Sequence, residues 1–167
     1  LLFKSNILSF LEYRTAAIYH AKRVLLARLD RIQTKFLESV GVDQISALLN
    51  FNLAPLVTRR DIAMLGLLHR VVIGKGPPQF KKHFVVSTGR TILDERTNFK
   101  HPMLKRSLWG LVAIYNMIPD RLKALRSVKE FQAGLQDVVK VKAQSGSESW
   151  WQTFSPRCSL RGHPLKQ

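Results

Sequence analysis

The sequence contains a single cysteine, Cys158, and no long apolar run. One cysteine excludes an internal disulfide and a cysteine-rich zinc site. A membrane-spanning helix needs a run of about 18 apolar residues. The most apolar stretch, residues 64–73, is much shorter and is flanked by charge. The sequence therefore predicts a protein with no structural disulfide and no membrane partner.

Acidic residues are the second scarcity, because 11 Asp and Glu stand against 27 Lys and Arg. A two-metal polymerase or nuclease site needs clustered carboxylates, and Asp94-Glu95 is the only adjacent acidic pair. The histidines form no HxxxH or HExxH pair, and no GxSxG motif is present. His69, inside an apolar segment, is expected to be a hydrogen-bonded core or edge residue and not a metal ligand. We therefore expect no catalytic residue, no metal and no cofactor, which disfavours a stand-alone enzyme.

Positive charge is what the sequence has in excess, with a formal net charge of +16. Each phosphate that a protein neutralises releases condensed counterions, so surplus Lys and Arg favour nucleic acid as a partner. The alternative is a basic surface that is only solvated. The chain also opens at Leu1, in the middle of a hydrophobic pattern, so we expect it to be a fragment of a longer protein.

Hydrophobic periodicity predicts an all-α protein, an irregular bundle of five to seven helices. Asp43 is expected to cap a short helix, and residues 62–73 are so apolar that the fold should surround them. Thr58 and Asp61 predict a capping box for that buried helix, and Gly74 predicts its end. The helix before Asp43 is expected to end at Gly41. Its apolar face, opposite a basic one, is predicted from residues at helical spacing, namely Leu25, Leu29, Ile32, Phe36 and Val40.

The second half of the chain predicts two more helices. One should run over residues 104–118 and end at Pro119, and a capping box at Ser127 and Glu130 should begin the other. Residues 85–103 have no clear periodicity and predict a long basic loop, with a β-like signal only at residues 84–86.

These elements predict one helical domain over residues 1–144 and an irregular tail over residues 145–167. Two adjacent aromatic residues, Trp150 and Trp151, lie in the tail. They are expected to dock on the core, and stacking on nucleic-acid bases is the less favoured role.

The basic residues supply the candidate site. Arg59 and Arg60 fall in the first turn of the predicted buried helix, where cations oppose the helix dipole, so they need an acidic partner or a phosphate. Other basic residues flank the predicted loop and could line one surface; a solvated rim of the bundle is the alternative. The predicted nucleic-acid-binding residues are Arg59, Arg60, Lys81, Lys82, Arg90, Lys105 and Arg106.

Several stretches resemble the region that follows the polymerase core in reverse transcriptases of LINE-type (non-LTR) retrotransposons. The resemblance rests on an LDxxQ element at residues 29–33 and a PLxxRR element at residues 55–60. It extends over FLEYRTAAIYH (10–20), LDRIQTKFL (29–37), NLAPL (52–56), RRDIAMLGLLHR (59–70), RSLWGLVAIY (106–115), SVKEFQ (127–132) and FSPR (154–157).

The resemblance implies a non-catalytic, thumb-like or connection segment that helps hold template RNA and nascent DNA. The family's catalytic aspartates lie upstream of this region, so the polymerase domain of the same polyprotein would be a partner, and the location would be intracellular, nuclear or cytoplasmic. A Cys/His knuckle near the end of many such proteins is missing, since one cysteine cannot build it. A degenerate remnant without activity is one alternative. A helical protein-interaction module is another, which an exposed apolar face between Phe3 and Tyr19 would favour.

Overall fold

The computed structural model of the 167-residue chain describes residues 2–93 and 102–166. Within these ranges the protein is an all-α bundle, as predicted, with one two-stranded hairpin. Its α-helices are α1 (Ser9–Glu12), α2 (Thr15–Ile18), α3 (Arg23–Ser39), α4 (Gln44–Phe51), α5 (Leu56–Val72), α6 (Pro78–Lys81), α7 (Pro102–Lys105), α8 (Gly110–Met117), α9 (Asp120–Lys123) and α10 (Val128–Gln144). The other elements are a π-helix (Phe3–Leu8), the strands β1 (Val85–Val86) and β2 (Ile92–Leu93), and two 3-10 helices (Trp150–Gln152 and Pro164–Lys166).

Helix α5 lies at the centre of the bundle, as its apolar sequence predicts. It packs against α3, α8 and α10, and both Leu65 and Leu68 are completely buried. Gly66 faces α10 at a point where a Cβ atom would overlap the side chain of Gln132. The missing side chain therefore lets α5 and α10 approach closely. Gly74 follows the helix with a φ of 77°, the left-handed conformation that ends a helix most easily on glycine.

The predicted capping box of α5 is wrong. The helix begins at Leu56, with Pro55 at the N-cap position, where a missing backbone N–H costs nothing. Thr58 is already inside the helix and donates its hydroxyl hydrogen to the carbonyl oxygen of Trp151 at 2.8 Å. Asp61 accepts a hydrogen bond from Tyr19. Both side chains make long-range contacts that a local capping pattern cannot predict.

Helix α3 ends before Gly41 as expected, but the predicted buried face is wrong by one position. The buried residues are Leu26, Gln33 and Leu37, whereas Leu25 is 52% exposed. The polar Gln33 is accepted in the interior because its amide donates to the carbonyl oxygen of Ala54 at 3.1 Å. The hydrogen-bonded Gln33 is thus buried, whereas the neighbouring apolar Ile32 is exposed.

The N-terminal region is a series of short helices. The chain is helical from Phe3, breaks at Arg14, and turns again between Tyr19 and α3. The rings of Phe3 and Phe36 stack with centroids 3.9 Å apart, which fixes the π-helix against α3. Phe3 belongs to a small apolar cluster that also contains Leu8, Leu37, Ala47, Leu53 and Leu56.

The predicted basic loop contains the hairpin. Val85 pairs with Leu93 and Val86 with Ile92 in antiparallel register, which confirms the β-like signal at residues 84–86. The side-chain amide of Asn116 in α8 extends the pairing, because it accepts from the backbone N–H of Ile92 and donates to its carbonyl oxygen, both at 2.9 Å. Residues 94–101, which include the acidic pair Asp94-Glu95, lie outside the described ranges.

The remaining helical predictions are mostly confirmed. Asp43 caps α4 by accepting from the backbone N–H groups of Ile45 and Ser46. Ser127 caps α10 by accepting from the N–H of Glu130. The helix predicted over residues 104–118 is instead two helices, α7 and α8, joined by a turn.

The tail packs on the main core through Trp150 and Phe154, both buried. This confirms the predicted docking of the tail: Trp150 lies within the core, and the half-buried Trp151 packs against it. No helix in residues 2–93 and 102–166 has the length and apolarity that a membrane span requires.

Candidate nucleic-acid interface

Arg59 has an acidic partner inside the protein. Its guanidinium forms a two-point ion pair with the carboxylate of Glu12 in α1, including a hydrogen bond from Nη2 to Oε2 of 3.0 Å. Both side chains are partly exposed. Two-point contacts between a guanidinium and a carboxylate are geometrically specific. The Glu12 carboxylate also neutralises a positive charge that the helix dipole disfavours near the start of α5.

Arg60 is buried more deeply and is also paired. Its side chain is only 4% exposed, and Nη2 donates to Oδ1 of Asp30 in α3 at 2.7 Å. Burial raises the pKa of Asp30 although the neighbouring Arg60 pulls it down. A buried arginine paired with a carboxylate has little surface to offer a phosphate. The sequence predicted either an acidic partner or a phosphate for Arg59 and Arg60. In the structure both arginines pair with an acid of the same chain.

A buried carboxyl lies next to this ion pair. The hydroxyl of Tyr19 donates to Oδ1 of Asp61 at 2.6 Å, and Oδ2 of Asp61 has no partner among the described residues. Burial raises the pKa of Asp61 to about 7, against lowering effects of the Tyr19 hydrogen bond and of the nearby arginines Arg157 and Arg60. Burial likewise raises the pKa of Tyr19.

Arg157 is a basic residue that the sequence does not mark as part of the candidate site. It is half-buried in the tail, and its Nη2 donates to the backbone carbonyl of Tyr19 at 2.9 Å. Burial lowers the pKa of Arg157, the charges of Tyr19 and Asp61 act to raise it, and the like charges of Arg106 and Arg60 act to lower it. No periodic pattern marks this residue, because it lies in an irregular segment and meets the bundle across 138 positions of sequence.

Arg90 serves the hairpin. Its φ is 55°, which places it in the left-handed region of the turn between β1 and β2. Its Nη1 donates to the carbonyl oxygens of Lys123 at 2.6 Å and Leu125 at 3.1 Å. The guanidinium thereby joins the hairpin to the end of α9, and no ion pair involves Arg90 in the described part of the chain.

Lys81, Lys82 and Lys105 are exposed. Among the described residues, no ion pair involves any of these three lysines. The packing brings their two segments together, since the ring of Trp109 lies 4.5 Å from that of Phe84 and 5.8 Å from that of His83.

Arg106 follows Lys105 and is half-buried, with its Nε atom buried and without a hydrogen-bond partner in the described part of the chain. The aromatic contact thus joins the two chain segments that carry Lys81, Lys82, Lys105 and Arg106, whereas Arg59 and Arg60 are held in ion pairs. The exposed lysine group, here named the lysine patch, comprises Lys81, Lys82 and Lys105.

The buried histidines are structural. In His69, Nε2 faces the carbonyl oxygen of Leu125 and Nδ1 faces the hydroxyl of Tyr115, both at 2.9 Å. Because a carbonyl only accepts, Nε2 carries the proton and the Tyr115 hydroxyl donates to Nδ1. The ring stacks on Phe131 at 4.0 Å, and burial lowers the pKa of His69. The prediction of a hydrogen-bonded core histidine is confirmed.

His163, which the sequence did not single out, makes the same kind of contact in the tail. Its Nε2 donates to the carbonyl oxygen of Ser155 at 2.9 Å, and its Nδ1 accepts from the backbone N–H of Leu165. Within residues 2–93 and 102–166, no cluster of three or more His, Cys, Asp or Glu side chains could hold a metal ion.

Comparison of the chain with protein-family models, with curated proteins and with solved structures returned no match.

Proposed function

We propose that this chain binds the phosphate backbone of RNA, DNA or an RNA–DNA hybrid without sequence preference, as a non-catalytic segment of a retroelement reverse transcriptase. The observation that carries the proposal is the lysine patch. Its three ammonium groups are exposed and enter no ion pair in the described part of the chain, while the protein as a whole carries a net charge of +16.

The chemistry of the patch favours backbone contact over base reading. Lysine ammonium groups are strongly hydrated point charges on flexible stems, suited to phosphates and poor at fixed two-point recognition. Their binding energy comes from the release of counterions that were condensed on the nucleic acid. Such contacts position a strand and carry no sequence information by themselves.

The test is the salt dependence of hybrid binding. Fluorescence anisotropy with a labelled RNA–DNA hybrid should give an affinity that falls steeply between about 50 and 200 mM salt. Replacing Lys81, Lys82 and Lys105 together by Gln should lower the slope of log K against log salt by about 2 to 3. The matched control replaces three exposed lysines elsewhere, Lys35, Lys129 and Lys166, by Gln.

The control should change the slope much less than the lysine-patch variant. If the two triple variants lower the salt-dependence slope equally, the effect comes from net charge alone. That result would contradict a specific role of the lysine patch. A flat salt response, or no binding at about 50 mM salt, would contradict nucleic-acid binding altogether.

The parent protein in this proposal is the LINE-type reverse transcriptase that the sequence resembles. Its polymerase domain would supply the catalytic aspartates and would be the protein partner of this chain. An intracellular location, nuclear or cytoplasmic, follows from that parent. The support remains the residues of the LDxxQ and PLxxRR elements, which here carry Asp30, Gln33, Arg59 and Arg60.

A second candidate function, a helical protein-interaction module, is favoured by one specific observation. The N-terminal helices expose large apolar side chains, with Phe10 79% and Tyr13 80% exposed. Leu2 and Ile7 are exposed in the same segment. Exposed apolar residues gathered in one place are typical of protein contact surfaces. Under the first proposal, the same face is suited to contact the polymerase domain.

A further inference from the structure

A basic cleft lies apart from the lysine patch, between α3, the first turn of α5 and tail residues 151–158. We name it the Trp151 cleft. Its volume is about 300 Å³, at the lower end of the range for small-molecule pockets. The residues that define its chemistry are Arg23, Leu26, Asp30, Arg60, Trp151 and Arg157.

The cleft has a surplus of positive charge. Among the described residues Asp30 is the only acid that lines the cleft, and Arg60 pairs with it at 2.7 Å. Arg157 donates one N–H group to the neutral carbonyl of Tyr19. Neither Arg157 nor Arg23 enters an ion pair in the described part of the chain. The guanidinium groups of Arg23 and Arg157 therefore share one opening without an ion pair of their own. Asp61 attracts the charge of Arg157, and Arg106 and Arg60 repel it. An anion bound between Arg23 and Arg157 would give both guanidinium groups a favourable charge contact.

The cleft also contains an aromatic surface. Trp151 is half-buried and lines the cleft, and the guanidinium carbon of Arg23 lies 6.0 Å from the centre of its ring. Leu26 and Val57 supply an apolar wall beside the ring. A planar ring can stack on tryptophan or on the plane of an arginine, and nucleobases do both.

Metal binding fits this cleft poorly. Burial raises the pKa of the Cys158 thiol, which disfavours the thiolate that a metal needs. The surplus charge is positive, so a cation would be repelled. A ligand with a negative group next to a planar ring satisfies both the arginines and the tryptophan.

We propose that the Trp151 cleft holds one nucleotide of a single-stranded nucleic acid, with its base against Trp151 and its phosphate between Arg23 and Arg157. The inference rests on the proposed function. It adds a binding site for a single strand to the phosphate-backbone binding proposed for the lysine patch. A single-stranded segment is the form that fits, because its bases are free to stack on a protein surface.

The experiment titrates the full chain with labelled oligouridylate and, separately, with uridine 5′-monophosphate, uridine and inorganic phosphate. The monophosphate should bind more tightly than uridine or phosphate, because only it joins ring and anion. Arg23→Gln should weaken oligouridylate binding on the order of tenfold. Arg28→Gln is the matched control, since Arg28 is an exposed arginine of the same helix and lies outside the cleft.

Arg23 is exposed and unpaired with any described acid, so its replacement should leave the fold intact. A second variant, Trp151→Phe, keeps an aromatic ring and should give a smaller loss than Arg23→Gln. Equal effects of Arg23→Gln and Arg28→Gln, or equal binding of uridine and its monophosphate, would overturn the inference. Oligouridylate binding no tighter than that of the monophosphate would assign the cleft to free nucleotides and overturn the strand assignment.

The lysine-patch variant separates this result from the proposed function. If it loses hybrid affinity while Arg23→Gln changes nothing, the cleft inference fails and the proposed function stands. If the lysine-patch variant keeps its affinity while Arg23→Gln loses oligouridylate, the proposed function fails and the cleft stands. If neither nucleic acid binds, both fail.

Discussion

At the scale of single residues, Asp61 is the least expected side chain. It is 3% exposed, and its carboxyl faces Tyr19 from the N-terminal region, Arg60 from its own helix, Asp30 from α3 and Arg157 from the tail. Its pKa rises from an ordinary value of 3.8 to about 7, chiefly because burial disfavours the carboxylate. A group like this makes folding depend on pH in a definite direction.

The folded state holds the Asp61 proton more tightly than the unfolded chain does. The stabilisation from this proton is complete below pH 3.8, the ordinary pKa, and is lost as pH rises through about 7. Asp61→Asn should remove this dependence. Between about pH 4 and pH 8, the free energy of unfolding of the natural chain should fall by up to about 4 kcal/mol relative to the variant.

Urea denaturation at several pH values measures this difference. Comparison with the variant cancels the contributions of other groups, such as Asp30. If both proteins lose stability in parallel over this range, the carboxyl of Asp61 is ionised in the fold and the expectation is wrong.

Thr58 is the residue-scale link between α5 and the tail. It is 1% exposed and donates to the carbonyl oxygen of Trp151. Thr58→Val keeps the shape but leaves that carbonyl without its donor, so the free energy of unfolding should fall by about 1 to 2 kcal/mol. Thr58→Ser, which keeps the hydroxyl, should cost less.

The same pair of variants can be followed by hydrogen exchange in the tail. Residues 150–155 should exchange faster in Thr58→Val than in Thr58→Ser. Equal exchange in the two variants would mean that the aromatic side chains hold the tail without the hydrogen bond.

At the scale of elements, the junction of α7 and α8 depends on Gly110. A Cβ atom at this position would overlap the backbone carbonyl of Lys105, which cannot move without shifting the end of α7. Gly110→Ala should therefore destabilise the protein by about 1 to 3 kcal/mol, although alanine is the better helix former. Thermal or urea denaturation measures the loss.

Gly162→Ala is the control for this change, because a Cβ there meets nothing within 4 Å and Gly162 has no positive φ. Its effect should stay within about 0.5 kcal/mol. Since Lys105 and Arg106 precede this junction, Gly110→Ala should also weaken hybrid binding. A stable variant with unchanged binding would contradict the close approach.

At the scale of the whole molecule, the N-terminal helices expose the large apolar side chains of Phe10 and Tyr13. Surfaces that contact only solvent seldom carry such an apolar group. Phe10→Ser with Tyr13→Ser should leave the free energy of unfolding within about 0.5 kcal/mol, because both side chains are exposed. Retention on a hydrophobic-interaction column should fall clearly. Val141→Ser, at an apolar residue that is exposed on α10, should change retention less; equal changes would argue against a special N-terminal face.

Much of the helical architecture could be predicted because its signals are local. The ends of α3 and α4, the cap at Ser127 and the burial of α5 follow from spacing, cap residues and glycine positions within a few residues. The start of α5 was mispredicted because Thr58 and Asp61 are used by Trp151 and Tyr19, which are far away in sequence. A capping motif describes what nearby residues allow and cannot detect a stronger distant partner.

The basic residues of the candidate site could be chosen from the sequence, but the surroundings of each side chain could not. Basic side chains are easy to find, but whether each is free depends on packing. Arg59 and Glu12 are 47 positions apart and Arg60 and Asp30 are 30 apart, so no pattern along the chain pairs them. Their contacts lie within the fold, whereas Lys81, Lys82 and Lys105 remain exposed.

The amino-acid sequence alone determined the helical class, the central apolar helix and the strong positive charge, because these depend on composition and on the period of the α-helix. The tertiary structure decided which face of α3 is buried, which arginines are neutralised, and that Trp151 lines a cleft while Trp150 enters the core. These outcomes depend on the free energy of pairing and burying groups that are distant in the chain. Only packing can bring such groups within hydrogen-bonding distance.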